Sequence, residues 1–272
     1  MKLSVVIPAH DEEACIEGTV LDFDRALSEA GIPHEILVVN DHSRDGTAAL
    51  LAGLAARVPS LRTLENPRAP GFGFAVRAGL ESFDGDAVAI VMADASDRPA
   101  DLVRFFRTLE RQGVDCVFGT RWSRESRVVD YPFPKRVMNR LVNQAIRLLF
   151  GLRYNDTTNA FKLYRRHVIE GLEPVLSHHF NLTVELPLKA IVRGYRYAVE
   201  PNDWIGRRGG QSKLLLKEMG SRYLFIVLYC LIESWLSAGD YRRREARPDA
   251  ADATRGIAGG RDASGRPGAD DA

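Results

Sequence analysis

The sequence predicts an α/β protein built on a Rossmann-like, mostly parallel sheet flanked by helices. Two observations carry this. Short apolar runs alternate with amphipathic segments through the first 120 residues, as parallel strands joined by crossover helices require. The runs "LSVVIPA", "EILVVN" and "DAVAIVM" are apolar almost throughout rather than at every second position, as strands covered on both faces must be.

Residues 3–9 read as a buried strand closed by Pro8-Ala9. Ile16, Val20, Phe23 and Leu27 recur at three- and four-residue spacing, which makes 12–30 an amphipathic helix. A second strand covers 35–40, and "DHSRDGT" turns the chain into a helix over 47–58. A short strand at 61–66 precedes "APGFGFAVRAGLESF", a glycine-rich turn running into a helix. Strands at 86–92 and 114–120 follow, with a helix starting near Pro99 between them. An Arg-, Pro- and Tyr-rich loop (121–134) then leads into a long helix over 134–150. "NAFKLYRR" reads as a strand, "LTVELPLKAIVRG" as a helix and "YRYAVEP" as a strand. The loop "IGRRGGQSK" and a last helix over 214–237 complete the ordered part. Residues 239–272 hold almost nothing apolar and are expected to form a disordered tail.

The bulk composition excludes several classes. A formal net charge of +1 over 272 residues lacks the basic surplus of a nucleic-acid binder, so no nucleic-acid partner is expected. Cys15, Cys116 and Cys230 are odd in number and far apart, which fits a reducing cytosol and neither a disulfide framework nor a zinc motif. The chain opens directly on a strand, so no leader is expected, and no run reaches the roughly 18 apolar residues that span a bilayer. "YLFIVLYCLI" (223–232) reads equally as a buried helix or as one lying on a membrane.

The chemistry concentrates in turns that follow strands. In "IVMADASDRP" an apolar strand gives way to Asp94 and Asp97, with Ser96 between them, on the sheet rim where α/β proteins bind ligands. Asp97 can serve as a helix cap before Pro99; Asp94 has no such explanation. In "IPAHDEE", Glu12 and Glu13 fall in a helix's first turn, where acids favour the dipole. In "VVNDHSRDGT", Asp45 reads as a cap with Gly46 at positive φ, whereas Asp41 directly follows a strand and is suited to a ribose or a base imide. Gly71 and Gly73 would let backbone approach a phosphate at a helix N-terminus. Together these turns point to a nucleoside diphosphate held with Mg²⁺ or Mn²⁺, which takes one or two carboxylates plus phosphate oxygens and water. Asp94 is the anchor, with Ser96 or Asp97 as second contact.

"VVIPAHDEE", "VVNDHSRDGT", "PGFGFAVRAG", "MADASDRP", "FGTRW", "NDTTNAFKLYRR" and "GGQSK" occur in the order seen in family-2 glycosyltransferases of GT-A fold. The chain resembles most their dolichyl- or polyprenyl-phosphate mannosyltransferase (or glucosyltransferase) branch, over about residues 3–238. The resemblance implies one GT-A domain over 1–238, with a nucleotide-sugar half (1–120), an acceptor half (121–213) and an apolar C-terminal helix (214–238). It implies that Pro8, Ala9, Glu12, Asp41, Gly71, Ala93 and Asp94 line the nucleotide pocket. Asp94 matches the second acid of the D-x-D metal motif, Asp156 an acid near the sugar, and Arg121 and Arg136 the arginines that hold an acceptor phosphate. Arg207, Ser212 and Lys213 match a loop that closes over the donor phosphates. The chain departs from the pattern at Met92 in place of the first D-x-D acid, at His10-Asp11, at Asn40 and at Ala160-Phe161-Lys162, where Lys162 is expected to keep a cation near the site.

The activity implied is transfer of a hexose, with inversion, from a GDP-mannose- or UDP-glucose-type donor to polyprenyl phosphate. A phosphate acceptor is already anionic and needs positioning; a hydroxyl acceptor would need a base, for which Glu185 and Asp97 are candidates. Glu185 reads equally as an ion-paired helix acid. A saccharide or protein hydroxyl acceptor, or a relic that binds nucleotide sugar without turnover, are the alternatives. Trp122 is the tryptophan expected in an acceptor groove. The expected location is the cytoplasm, with the cytoplasmic membrane face, an oligomer or a membrane subunit as open partners of residues 223–238.

Overall fold

The computed structural model describes residues 1–206 and 216–242, the side chains of the second stretch from residue 220. Strands β1 (Leu3–Ala9), β2 (His34–Asn40), β3 (Leu61–Glu65), β4 (Ala87–Ile90), β5 (Cys116–Thr120), β7 (Lys162–Arg165) and β8 (Tyr197–Pro201) form one sheet in the order β3-β2-β1-β4-β7-β5-β8. All neighbours run parallel except β7, which is antiparallel to both β4 and β5. A two-stranded parallel ribbon, β6 (Val128–Val129) with β9 (Trp204–Ile205), lies outside this sheet and has no counterpart in the sequence reading.

Every residue of β1 is buried, and alternate residues enter different cores. Leu3, Val5 and Ile7 join Ile36, Val38, Ala87 and Ala89 on one face. There they pack against α1 (Ile16–Glu29), α2 (Thr47–Ala55) and α4 (Pro99–Gln112) through Phe23, Leu27, Leu51, Leu102 and Phe105. Val6, Leu37, Val39, Val88 and Ile90 face the other way, onto α3 (Phe72–Ser82) and α7 (Leu182–Val192). The two-residue period of a strand thus makes one apolar run serve two cores.

A third apolar cluster joins Ile146 of α5 (Phe133–Phe150), Val184 and Leu188 of α7, and Ile226 and Cys230 of α8 (Leu216–Leu236). It is pinned by a buried ion pair: Arg193, just beyond α7, donates through Nε and Nη2 to Glu233 at 2.8 and 3.0 Å. Its Nη1 donates to the carbonyls of Gly171 and Glu173, at the end of α6 (Arg166–Gly171) and just beyond it.

Apart from the β6–β9 ribbon and α6, which the sequence reading did not place, the element pattern follows the sequence closely, with shifts at α1 and β4. α1 starts at Ile16, not at residue 12, because Glu12 and Glu13 lie in a turn tied to the neighbouring loop. Hydrogen-bonded pairing in β4 ends at Ile90, and the chain then bends back so that Asp97 accepts from Met92 N–H.

Removing one member of a buried, hydrogen-bonded ion pair leaves the other charge uncompensated, at a cost of about 3–5 kcal/mol. Glu233→Leu is therefore expected to lower unfolding free energy by about that amount in urea titrations, whereas Ser234, on the same turn, tolerates alanine within about 0.5 kcal/mol.

Candidate active site

The chain leaves β1 toward β2 and β3 on one side and returns to add β4 on the other. That reversal opens a crevice at the carboxyl ends of β1 and β4, where α/β sheets hold ligands. Three loops meet this rim, and each contains a non-glycine residue with positive φ: Asp11 (50°), His42 (57°) and Ala95 (59°). Such backbone costs about 1–3 kcal/mol per residue and persists only where its surroundings enforce it.

The enforcement is visible. Asp11 N–H donates to Ser43 Oγ, Glu12 N–H to Thr47 Oγ1 and Glu13 N–H to Asp45 Oδ2, while Arg44 and Gly46 N–H groups donate back to Asp11 and Glu13 carboxylates. Glu13 thus braces the second loop and does not sit in a helix's first turn. Gly46 has φ −70°, not positive; a Cβ there would lie 2.7 Å from Glu13 Oε2, the far end of a flexible side chain.

Asp41, buried, accepts from Asn66 Nδ2 at 2.6 Å and from Gly71 N–H at 2.9 Å. A structural duty that the sequence did not reveal therefore falls to Asp41: it clamps the glycine-rich turn. The close approach predicted at Gly71 and Gly73 exists, but the group approached is protein. A Cβ on Gly73 would lie 2.5 Å from the carbonyl carbon of His178, and one on Gly71 2.8 Å from the His178 oxygen. Phe72 stacks on Phe180 and Phe74 on His178 across the same junction.

Asp94, Ser96 and Asp97 lie on the third loop, all buried, with Ala93. Asp94 Oδ1 accepts from Ser96 N–H at 3.2 Å. Asp97 does not cap α4, whose Ncap residue is Arg98 with no side-chain cap; its carboxylate holds Met92 N–H at 2.9 Å instead. Burial pushes its carboxyl up to about 7, the Met92 bond opposes this, and the Asp94 charge adds to the rise. Two buried acids on one strained turn suit a divalent cation, which would favour the ionised form of both. Among the described residues no group of three or more His, Cys, Asp and Glu gathers to hold a metal, so further ligands would come from substrate oxygens and water.

On the far side of the rim, Arg121 follows β5 and forms a buried fork with Asp156: Nε to Oδ2 at 2.8 Å and Nη2 to Oδ1 at 2.7 Å. Arg121 N–H also donates to Asp156 Oδ2. Burial by itself would lower the guanidinium pKa, and Asp156 more than offsets it, so Arg121 stays charged. Arg121 lines a cleft of about 260 Å³ with Trp122, Ser123, Ser126, Val128, Arg136 and Arg140. Arg140 was not singled out in the sequence, although its four-residue spacing from Arg136 on a helix places the two side by side.

Two other expectations are corrected. Glu185 is fully buried, accepts from Leu176 and Ser177 N–H at 2.7 Å each, and pairs with Lys189; a carboxylate so committed is no base. Lys162 is no cation for a phosphate: its Nζ is buried among the carbonyls of Thr157, Asn159 and Thr183, and burial pushes it down to about 7. Arg207, Ser212 and Lys213 lie outside the described residues. Of the described residues just before them, Ile205 N–H donates to Ser96 and Gly206 N–H to Val129.

A parallel sheet with one reversed strand, acids at its switch point and a cationic cleft beside them define a sugar-transferring enzyme of the GT-A type. Comparison with known proteins agrees. Residues 4–172 match the model of glycosyl transferase family 2. Polyprenol monophosphomannose synthase of Mycolicibacterium smegmatis is 30% identical over 219 residues, covering 77% of this chain and 80% of that one. Undecaprenyl-phosphate mannosyltransferase of Micrococcus luteus is 25% identical over 240 residues, covering 86% and 96%. Glucosyl-3-phosphoglycerate synthase from Mycobacterium tuberculosis with bound UDP shares the fold, with a TM-score of 0.63 at 19% identity over 86% of this chain and 79% of that chain. The same enzyme is also known with Mn²⁺, UDP and glucosyl-3-phosphoglycerate. The protein belongs to glycosyl transferase family 2, in the branch of the polyprenyl-phosphate mannosyltransferases, and is a glycosyltransferase.

Gly73→Ala is expected to push the His178–His179 backbone away from the rim. Nucleotide-sugar affinity measured by calorimetry should fall at least tenfold, while Gly53→Ala, whose Cβ meets nothing within 4 Å, should leave it unchanged.

Proposed function

We propose that the protein transfers a hexose from a nucleotide-diphosphate sugar to a polyprenyl phosphate at a membrane surface, by a single displacement with inversion. The observation that carries this reading is the cleft beside Arg121, lined by three arginines and two serines and, among the described residues, by no carboxylate. A hydroxyl acceptor would call for a base there; a phosphomonoester calls for cations. The loss of Glu185 as a base fits the same choice, since a phosphate dianion is a nucleophile without deprotonation. The relatives named above act on polyprenol and undecaprenyl phosphates, which supports the acceptor class, and their mannosyl chemistry favours mannose over glucose.

A lipid acceptor must be met at a surface. Among the described residues no helix is long and apolar enough to cross a membrane. Two helices do carry exposed apolar side chains: Phe133, Leu141 and Leu148 on α5, and Phe225, Trp235 and Leu236 on α8. On α5 they lie beside the arginines of the cleft, the arrangement of an amphipathic helix at an anionic interface. The membrane reading of 223–232 is thereby supported for one face of α8, while Ile226 and Cys230 on its other face are buried.

In the reaction, Asp94, with Ser96 or Asp97, would hold Mg²⁺ or Mn²⁺, which supplies charge stabilisation for the departing nucleoside diphosphate. Glu12 and Asp41, with Pro8, Ala9, Gly71 and Ala93, are the donor-side residues, and Asp41 acts by fixing the turn against which the nucleotide lies. Arg207, Ser212 and Lys213 are assigned to the donor phosphates on the strength of the motif. Arg121 and Arg136 orient the acceptor phosphate toward the sugar.

The test is transfer of label from GDP-mannose or UDP-glucose, with Mn²⁺, to polyprenyl phosphate. Label is expected in an organic-extractable, acid-labile product, and label that stays aqueous with every polyprenyl phosphate sinks the reading. Asp94→Asn is expected to lower turnover at least 10²-fold, the scale of losing one electrostatic stabiliser.

A further inference from the structure

We propose that Arg140 is a third cationic contact for the acceptor and makes the enzyme select a doubly charged phosphomonoester head group over a singly charged one. This rests on the reading of the cleft as the acceptor-phosphate site and adds what that site chooses.

Three guanidinium groups converge on one indole. The Arg121, Arg136 and Arg140 guanidinium carbons lie 5.6, 5.7 and 5.6 Å from the Trp122 ring centroid. A cation within about 6 Å of an indole is attracted by the ring's quadrupole, and Trp122 is itself anchored by its Nε1–H to Asn139 at 3.1 Å. Of the three, Arg121 pairs with Asp156; Arg136 and Arg140 form no ion pair among the described residues. Like charges four apart on a helix destabilise it, so nothing in local helix energetics favours two arginines there. The cleft therefore keeps two uncompensated positive charges beside the hydroxyls of Ser123 and Ser126. That charge matches a phosphomonoester above its second pKa of about 6 and exceeds what a phosphodiester carries. Guanidinium groups suit the task because they remain charged at every working pH and bind phosphate oxygens in pairs.

Arg140 is exposed, so its replacement is compatible with folding, which a thermal melt checks. Calorimetry on the full chain without donor compares farnesyl phosphate with its methyl diester. The wild type is expected to bind the monoester at least tenfold tighter at pH 7.5, and that preference should grow from pH 5 to 7.5 as the phosphate loses its second proton. Arg140→Gln should lose about tenfold for the monoester, little for the diester, and flatten the pH profile; Arg140→Lys should restore part of the preference. An Arg140→Gln variant that binds both esters as the wild type does, or loses both equally, overturns the proposal, as does a wild type that binds neither. Inorganic phosphate binding as tightly as farnesyl phosphate would keep the role of Arg140 and overturn the lipid reading. Because no donor is present, failure of sugar transfer leaves this result standing, and transfer by an Arg140→Gln variant with intact charge selectivity overturns this inference alone.

Discussion

The buried fork between Arg121 and Asp156 is the interaction on which the cationic cleft of this enzyme depends. It joins the end of β5 to the segment that leads into β7, and it uses the main-chain N–H of Arg121 as well as its guanidinium. A guanidinium this buried would be costly without its carboxylate, and the carboxylate, wholly inaccessible, would be costly without three donors. Together they allow a charged group to form the floor of a cleft without collapse or repulsion. Around that floor Thr158 accepts from Asn139 and Asn143, so the α5 face that carries Arg136 and Arg140 is set against the same segment.

The rim at the carboxyl ends of β1 and β4 is governed by a different constraint. Its loops hold residues in backbone conformations that side chains disfavour; the first two are stabilised by hydrogen bonds to each other, the third by bonds within itself. Asp41 and Glu13 bind backbone N–H groups of neighbouring loops, and Asp97 closes the end of β4 on itself. Acids that look like ligands for a nucleotide are therefore also the braces that keep the rim open before any ligand arrives. Such preorganisation matters for a reaction whose barrier lies in charge gathering on a leaving group, because fixed dipoles and charges need no rearrangement as that charge develops.

Much of this was legible in the sequence. Alternating apolar runs and amphipathic segments located the strands and helices, because burial on both faces leaves a mark on every residue of a strand such as β1. The motif order identified the glycosyltransferase family, which the family-model match bears out. At Glu185, where the ion-paired reading holds and the base reading does not, and at Lys162 one cause is at work. Glu185 and Lys162 carry charge in a motif or near one, yet both point into the protein, and the carbonyls and N–H groups that hold them come from segments up to 21 residues away. No local pattern shows whether a carboxylate faces a substrate or an amide.

By itself, then, the sequence determined the fold class and the family, since these rest on periodicity and on residue types at fixed spacing. Only the tertiary structure decided which charged side chains are free to meet a ligand. It paired Arg121 with Asp156, turned Asp97 onto Met92, set Glu185 against the Leu176 and Ser177 N–H groups, and brought Arg140 to Trp122 beside Arg121 and Arg136. The reason is that a charge in a low-dielectric interior must find its partner before it can serve a substrate, and partners are chosen by proximity in space rather than along the chain.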